Sequence, residues 1–453
     1  MNFVISSPTP GSTLEITPET EYESRIANLD STPTNCTTEY FSWRQLTDLS
    51  QKVPEISDQF GPVTASYMGE CVALGTESGV VVVADYIGRI KAVLGSQSSR
   101  YGSVSSLCFS ADSVFLAAGY SQGFVAVWDW GKQVTVSVSR PLQPGDKPGA
   151  TGHPAGVAVT GVYFIGASKH RYISCSASGG VLYHHIVRRL LTTMNTTQIA
   201  GSDDSGQEGI LLEAAALPLG SFLCETDDMG LVAVLTSGSL AVFKTRNGVE
   251  QQFRIRYQQQ ASQAALAATS NPASFSSSKS GAAGIKRKYA KRPYAGCVSW
   301  LPALKHKQPA TATDPSQSYF SYPQLAYSWG PTICVLSLVV DHEVAENGAS
   351  LTARRSGPRV KFERLLEWTA IEDVVYCRWI SAEILVYMTQ SQRVFVFEIK
   401  LCQETEVCSS PPGIIAGRPW TTLATGIEAE PSYSQVVSVY RRRVFVLCGA
   451  SSV

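Results

Sequence analysis

Histidines are the side chains of this sequence best suited to catalysis or metal binding, but they are few and scattered. The chain has 453 residues and 6 histidines. His184 and His185 stand side by side in a predicted strand, where neighbouring side chains face opposite ways, so that only one of them could reach a shared metal. His342, between Asp341 and Glu343, is typical of a solvated strand end. We therefore predict structural or surface roles for these histidines and no metal site.

Motifs of several large enzyme classes are missing as well. The sequence has no P-loop, no HExxH pair and no Rossmann glycine run. Gly75-Thr76-Glu77-Ser78-Gly79 comes close to the GxSxG elbow of hydrolases, but its serine is one place late and the segment is typical of a hairpin turn. The sequence thus predicts no catalytic residues, no cofactor and a protein that is not an enzyme.

The 11 cysteines indicate a redox compartment rather than a zinc site. No CxxC pair is present, and Cys402 and Cys408, the closest two, are farther apart than the spacing of a zinc clip. The N-terminus lacks the charged-then-apolar order of a signal peptide, and no apolar run is longer than a strand. We therefore expect a cytoplasmic protein with reduced core cysteines. Those that fall in predicted strands are Cys71, Cys108, Cys175, Cys224, Cys334, Cys377 and Cys448.

A basic run is the main local charge feature of a chain whose formal net charge is zero. A neutral balance gives no overall attraction to nucleic acid or to an anionic membrane, so nucleic acid is not an expected partner. The run itself could contact an acidic membrane, bind RNA or act as a nuclear import signal. A solvated loop is the interpretation we favour, with a membrane or partner contact as the alternative. The cations are Lys286, Arg287, Lys288, Lys291 and Arg292.

Short strands in a repeated order are the elements that must position any site. From Gly102 to Trp130 the pattern predicts three strands, joined by a polar turn and then by a tight glycine turn. Three antiparallel strands that end in Trp128-Asp129 are typical of one blade of a WD-repeat propeller. We expect Trp128 to pack between blades and Asp129 to support the turn before it.

A second copy of this pattern lies upstream, at an interval of 44 residues. Its strands and turns follow in the same order, and the interval agrees with the length of one WD-type blade. The glycines of both copies are expected to take a positive φ in their turns. The recurring residues are Gly75, Gly79 and Asp85 in the upstream copy and Gly119, Gly123 and Asp129 in the downstream copy.

The chain as a whole is predicted to be an all-β, WD-repeat-like propeller of seven blades, with six as the alternative. Weaker copies of the same strand order follow the two clear ones. We assign residues 1–40 to a disordered segment and 41–453 to the propeller, with a low-complexity insertion at 258–293. Phe41 to Leu49 is predicted to be either a short helix on the first blade or a strand that helps to close the ring.

Part of the sequence resembles a known family beyond its general likeness to propellers. The stretch from Gly61 to Ile186 is similar to the N-terminal region of the vacuolar protein sorting-associated protein eight family. The segments that carry this resemblance are ALGTESGVVVVAD, KAVLGSQ, YGSVSSLCFSADSVFLAAGYSQGFVAVWDW and, after the His153-Pro154 loop, GVAVTGVYF.

The resemblance implies a non-catalytic subunit of CORVET, the complex that tethers early endosomal vesicles, located peripherally on the endosome or vacuole membrane. In that family the propeller binds an active Rab-family GTPase, and the rest of the protein joins the core subunits of the tether. Family members continue into a helical solenoid and a RING finger, so core assembly is not carried over to these residues. A WD-type protein-interaction scaffold of another pathway is the alternative.

Overall fold

The structure is a computed structural model, and the part of the chain that it describes consists almost wholly of β-strands. The described residues are 2–7, 42–45, 49, 52, 55–57, 60–65, 71–95, 99–146, 150–188, 192–200, 209–218, 229–246, 248–257, 295–307, 318–341, 359–379, 381–391, 393–408, 423–428 and 441–448.

Most strands belong to six four-stranded antiparallel sheets that follow one another along the chain, which we number blades 1 to 6. Within a blade the strands are neighbours in chain order, from a first strand to a fourth. Two strands, β1 (Asn2–Ser7) and β2 (Ser42–Gln45), precede the blades. Blade 1 consists of β3 (Phe60–Ala65), β4 (Cys71–Thr76), β5 (Val81–Asp85) and β6 (Ile90–Leu94); blade 2 of β7 (Val104–Phe109), β8 (Phe115–Tyr120), β9 (Val125–Asp129) and β10 (Val134–Ser139); blade 3 of β11 (Val159–Ile165), β12 (Ser168–Ser176), β13 (Val181–Arg188) and β14 (Thr192–Ala200).

Blades 4 to 6 repeat this arrangement, and blade 5 has an extra hairpin between its first and second strands. Blade 4 consists of β15 (Leu211–Ala216), β16 (Leu231–Thr236), β17 (Ser239–Lys244) and β18 (Glu250–Arg256); blade 5 of β19 (Val298–Leu301), the hairpin β20 (Leu304–Lys307) and β21 (Ser318–Ser321), then β22 (Gln324–Trp329), β23 (Thr332–Asp341) and β24 (Arg359–Thr369); blade 6 of β25 (Val374–Trp379), β26 (Ile384–Thr389), β27 (Val394–Glu398) and β28 (Gln403–Cys408).

A further four-stranded sheet joins the two ends of the chain. It combines β1 and β2 with β29 (Leu423–Glu428) and β30 (Arg441–Cys448), in the order β2-β1-β30-β29. Here the structure differs from the predicted disorder of residues 1–40, because the edge of β30 offers Asn2–Ser7 a pairing partner that its own sequence does not reveal. Ser42–Gln45 is a strand, as one of the two alternatives for this region predicted. The insertion at 258–293 lies outside the described residues.

The first strands of the blades contact one another in chain order: β3 with β7, then β11, β15, β19 and β25. The strand β29 contacts both β25 and β3. First strands that surround a central axis, with fourth strands at the outer rim, are the arrangement of a β-propeller. The predicted all-β propeller fold is confirmed, with six blades built from consecutive strands, and the count of seven stays a prediction.

Apolar side chains are buried between neighbouring blades rather than in one central core. Clusters of buried residues join blade 1 to 2, 2 to 3, 3 to 4, 4 to 5 and 5 to 6. Because the second and third strands of a blade are covered on both faces, β8, β9 and β16 are buried along their whole length. Each fully buried Val, Leu or Phe side chain of such a cluster stabilises the fold by about 1.5–3 kcal/mol.

The fourth strand of each blade is the element that the sequence pattern did not reveal. These strands have a neighbour on one edge only, and many of their side chains are half-buried or exposed. The strand β10 starts with Val134, which is 50% exposed, and β18 is half-buried or exposed throughout. The sequence of β10, VTVSVS, does alternate, so the period-2 signal was present and the three-strand pattern of the repeat did not include it.

The two glycines of each repeat copy differ in backbone conformation and in role. Gly79 and Gly123 have φ of 84° and 86°, which favours glycine, as expected. Gly75 and Gly119 do not have a positive φ; they lie in strands against the next blade. A Cβ on Gly119 would lie 2.6 Å from Val159 Cγ1 of β11.

We predict that Gly119→Ala lowers the free energy of unfolding by about 1–3 kcal/mol, the usual cost of overpacking a close contact. Urea denaturation followed by circular dichroism measures the effect. Gly131→Ala is the matched control in the same blade, because a Cβ there would lie 4.0 Å from its nearest neighbour, Asp129 Oδ1. Equal stability of both variants would contradict the packing role of Gly119.

Candidate functional site at the centre of the ring

A polar cluster centred on Glu213 joins the first strands of blades 3 to 6. The register of β15 shifts between Leu211 and Glu213, and such a bulge redirects the side chains beside it. Glu213 Oε2 accepts a hydrogen bond of 2.7 Å from the N–H of Val298, at the start of β19. Its Oε1 accepts from Tyr163 Oη of β11 at 3.2 Å and from Arg378 Nη2 of β25 at 3.1 Å.

Arg378 supplies the positive charge of this cluster. Its Nη1 donates to the carbonyl oxygens of Cys377 at 2.7 Å and Val298 at 3.4 Å. Its guanidinium carbon lies 4.2 Å from the centre of the Tyr376 ring, within the range of a cation–π contact. The side chains of Arg378 and Glu213 are 21% and 17% exposed, so water screens this ion pair much less than it screens a pair on the outer surface.

The phenol of Tyr163 completes the cluster as a proton donor. Burial, followed by the negative charge of Glu213, raises its pKa well above the ordinary value, so the phenol stays protonated at neutral pH. Both oxygens of Glu213 and both terminal nitrogens of Arg378 bond to protein atoms. Chemically, the cluster therefore fixes the inner strands in place rather than presenting a nucleophile beside a base.

Tryptophans add a second kind of link between blades. Trp300 Nε1 of blade 5 donates to the carbonyl oxygen of Ala215 in blade 4 at 3.2 Å. Trp379 of blade 6 donates to Ser299 O of blade 5 at 3.1 Å. Because each indole bonds to the backbone of the preceding blade, the register between first strands is set by directional bonds as well as by apolar packing.

Blade 3 contains a buried polar network that includes one of the two adjacent histidines. Ser174 Oγ lies 2.6 Å from His153 Nε2 and 2.7 Å from His184 Nε2, and His184 Nδ1 lies 3.1 Å from Thr196 Oγ1. A serine beside a histidine has the form of a nucleophile and its base. Ser174 and His184 are fully buried and His153 is 2% exposed, so a substrate could not reach this serine, and the network is structural. His185 is half-buried.

The turn aspartates of the blade motif bind backbone N–H groups of the turn that follows them. Asp85 Oδ1 accepts from Ile87 N at 3.2 Å and Arg89 N at 2.8 Å. Asp129 Oδ1 accepts from Lys132 N at 3.2 Å. The expected support of the preceding turn stays a prediction. Each aspartate ends a third strand, and these hydrogen bonds go to the turn that follows it.

Trp128 packs in the apolar cluster between blades 1 and 2 and is 7% exposed.

The segment Gly119-Tyr120-Ser121-Gln122-Gly123 matches the GxSxG spacing of a nucleophile elbow. The prediction of no catalytic residues overlooked this match. The segment forms the turn between β8 and β9, in which Gly123 N donates to Tyr120 O. A nucleophile elbow instead joins a strand to a helix, so the spacing here is that of a hairpin.

The remaining predicted residues divide between buried and undescribed positions. Cys175, Cys297, Cys334 and Cys377 are buried, reduced thiols, and Cys71, Cys108 and Cys402 are reduced thiols as well. Within the described ranges there is no group of three or more potential metal ligands. The basic run lies outside the described residues, so its contacts stay a prediction. Its cations are Lys286, Arg287, Lys288, Lys291 and Arg292.

Sequence reasoning missed the cluster around Glu213, although a signal was available. Glu213 and Arg378 each stand as a single charge within an apolar run, in ILLEAAALP and VVYCRWI. A charge in a predicted buried strand needs a partner. The partner itself could not be read from the sequence, because 165 residues separate the two side chains.

The fold and its interblade contacts define a β-propeller protein, a class whose loops and faces commonly bind other proteins. Residues 39–453 match the Vps8 beta-propeller, and the chain belongs to this family. The resemblance found in the sequence is thereby confirmed. Membership of this family suggests that the protein is a subunit of a vesicle-tethering complex and associates with endosomes. In the described part of the chain, no helix is long and apolar enough to cross a membrane.

Solved structures show the extent of likeness beyond the family. The chain is similar to the beta-propeller domain of Myceliophteria thermophila Cps50 (Swd1), with 10% identity, 86% of this chain and 98% of that chain covered, and a TM-score of 0.47. It is also similar to a chain of the Mitotic Checkpoint Complex, with 15% identity, 86% and 87% covered, and a TM-score of 0.46. No curated protein matches the chain in sequence.

We predict that Arg378→Met lowers the free energy of unfolding by on the order of 3 kcal/mol, because it leaves the Glu213 carboxylate without its cation in a poorly solvated place. Lys400→Met is the matched control: Lys400 pairs with Glu383 at 2.6 Å, but the side chains are 74% and 53% exposed, and such a pair contributes at most about 1 kcal/mol. Guanidinium denaturation of both variants measures the difference. Equal losses would show that the central ion pair is as weak as a surface pair.

Stability should also fall in mild acid because of the network in blade 3. Burial lowers the pKa of His153 to about 4 and, together with the neighbouring His153, lowers that of His184 to about 3. Both values lie below about 6.5, the pKa of an unfolded histidine, so below pH 6.5 the unfolded chain binds more protons. The contribution is therefore complete above pH 6.5 and is lost as the pH falls toward 4, by up to about 1.4 kcal/mol per pH unit for each histidine.

Urea midpoints at pH 7.5 and 5.5 measure this dependence. His184→Gln should reduce the pH dependence clearly. His185→Gln, at the half-buried neighbouring position, should reduce it less. A wild-type midpoint that does not change between the two pH values would contradict the buried neutral state of the histidines.

Proposed function

We propose that this chain is the propeller of a non-catalytic subunit of a CORVET-like endosomal tethering complex, and that it binds an active Rab-family GTPase. The observation that carries the proposal is the match of residues 39–453 to the Vps8 beta-propeller. Core subunits of the tether are the further partners, and the location is peripheral, on the cytoplasmic side of the endosome or vacuole membrane.

A rigid ring supports a binding role. Apolar clusters cover both faces of blades 2 to 5. The Glu213 cluster joins blades 3 to 6 at the centre, which leaves the turns and loops as the variable surfaces. Functional residues lie disproportionately on loops that a rigid scaffold positions. The two serine arrangements that could suggest catalysis, at Ser121 and Ser174, are a hairpin turn and a buried network.

We also propose that the ring has seven blades, with the sheet of β29, β30, β1 and β2 as the seventh. This is supported by the contacts of β29 with β25 of blade 6 and β3 of blade 1. In this arrangement the N-terminal strand and the C-terminal strands close the ring together, as antiparallel neighbours. The experiment below therefore uses the full chain.

We predict that the full chain, immobilised, captures early endosomal Rab GTPases loaded with a GTP analogue and captures the same GTPases loaded with GDP at least tenfold less. The reason is that a tether subunit must distinguish the active state of its GTPase. Immunoblotting of the eluted GTPase gives the ratio. Capture of neither form by a chain with the circular dichroism of a folded β-protein would contradict the proposal and favour a scaffold of another pathway.

A second arm of this experiment tests the basic run. A variant with serine at its five cationic positions should capture the active GTPase as well as the wild type does, but should bind less to vesicles that contain phosphatidylserine, if the run contacts the membrane. Unchanged vesicle binding would leave the solvated loop as the interpretation of this segment.

A further inference from the structure

Exposed apolar side chains and exposed cations lie together at one end of blades 1 to 3. In an antiparallel four-stranded sheet, the turn between the first and second strands and the turn between the third and fourth strands lie at the same end. Tyr86, Val114 and Val134 are at this end of blades 1 and 2 and are 42%, 41% and 50% exposed. We call the surface that they form with the cations named below the lysine face.

Two of the three ion pairs of this face, Lys132–Asp129 and Lys91–Asp85, direct the cation outward. Lys132 is 77% exposed and its partner Asp129 only 11%; for Lys91 and Asp85 the values are 46% and 14%. The reason is visible in the turns, where the carboxylates of Asp85 and Asp129 accept backbone hydrogen bonds and are held inward. A partner that approaches these two turns therefore meets ammonium groups before carboxylates.

Contacts between blades make this a continuous surface. Lys169, at the start of β12 in blade 3, lies 3.5 Å from Asp112 in the first turn of blade 2, and its side chain is 45% exposed. Cys71, the first residue of β4 in blade 1, packs in the same cluster as Trp130 of blade 2. The lysine face thus spans three neighbouring blades.

The turns of blade 2 on this face have an unusual backbone. Ser113 and Gln133 have φ of 55° and 56°; with Cys402 they are the non-glycine residues with a positive φ in the described ranges. Trp130 Nε1 donates to Ser113 O at 2.6 Å and ties the two turns together. Such backbone strain persists where the surroundings fix it and is concentrated at binding sites.

We propose that the lysine face binds an extended segment of a partner protein in which acidic residues alternate with apolar ones. The apolar side chains of the segment would cover Tyr86, Val114 and Val134, and its carboxylates would reach the exposed ammonium groups of Lys132 and Lys169. Exposed aromatic and aliphatic side chains surrounded by charges are typical of protein interfaces.

Charge favours a protein segment over a membrane at this surface. The three ion pairs of this face, Lys91–Asp85, Lys132–Asp129 and Lys169–Asp112, sum to a net charge of zero. Attraction to an anionic membrane depends on the net charge of a face, because the surface charge of the membrane is spread over many lipids. A net charge this small gives little attraction. A protein carboxylate can instead approach a single ammonium group at close range. The inference does not depend on the proposed GTPase, and its test uses none.

The test is fluorescence anisotropy with the full chain and a labelled peptide of twelve residues in which Glu and Asp alternate with Leu and Phe. The wild type should bind this peptide, with affinity that falls as salt is added, and a counterpart with Lys in place of the acids should bind at least tenfold more weakly. Lys132→Gln and Lys169→Gln should each weaken binding of the acidic peptide about fivefold, and Tyr86→Ser should weaken it further.

Lys400→Gln is the matched control. Lys400 follows the third strand of blade 6, as Lys132 follows that of blade 2, and its side chain is 74% exposed against 77%. This variant should bind the acidic peptide as the wild type does. The proposal would be overturned if Lys400→Gln weakened peptide binding as much as Lys132→Gln does, or if the basic peptide bound as tightly as the acidic one. It would also be overturned if the wild type bound no peptide and Lys132→Gln instead lost binding to phosphatidylserine vesicles.

Discussion

Every blade of this protein depends on its neighbours for burial. A four-stranded sheet with two apolar faces cannot shield its second and third strands by itself, and here β8, β9 and β16 are buried from end to end only because another sheet covers each face. Positions that control the distance between sheets are therefore as important as large side chains. Gly75 and Gly119 occupy such positions, and the equivalent valines of the next blade, Val104 and Val159, fill the space.

Polar bonds add direction to this packing. Apolar clusters are tolerant of small rotations between sheets, whereas hydrogen bonds are not. The bonds of Glu213 to three other first strands, and those of Trp300 and Trp379 to the preceding blade, fix how the strands around the axis are placed relative to one another. A ring held in this way fixes where its turns begin and end, which supports the proposed binding role.

The two ends of the ring differ in what they offer a partner. At one end, the turns after the third strands of blades 1 and 2 hold carboxylates inward and lysines outward. The other end carries the connections between blades, such as the segment around His153, whose ring is buried against Ser174 of blade 3. Separate surfaces of this kind would allow a tether subunit to hold more than one partner at a time.

The sequence by itself determined the strands, the turn glycines and the class of fold, because each of these depends on residues close together in the chain. Period-2 alternation located the first three strands of the blades, and the 44-residue interval showed that they repeat. The three-strand repeat did not include the outer strands, although some of them, such as β10, alternate in sequence. The pairing of Asn2–Ser7 with β30 across the whole length of the chain could not be read from the sequence. Only the tertiary structure decided the partner of Glu213 and the burial of His184, because a lone charge or histidine in an apolar strand shows that a partner is needed and not which distant residue supplies it.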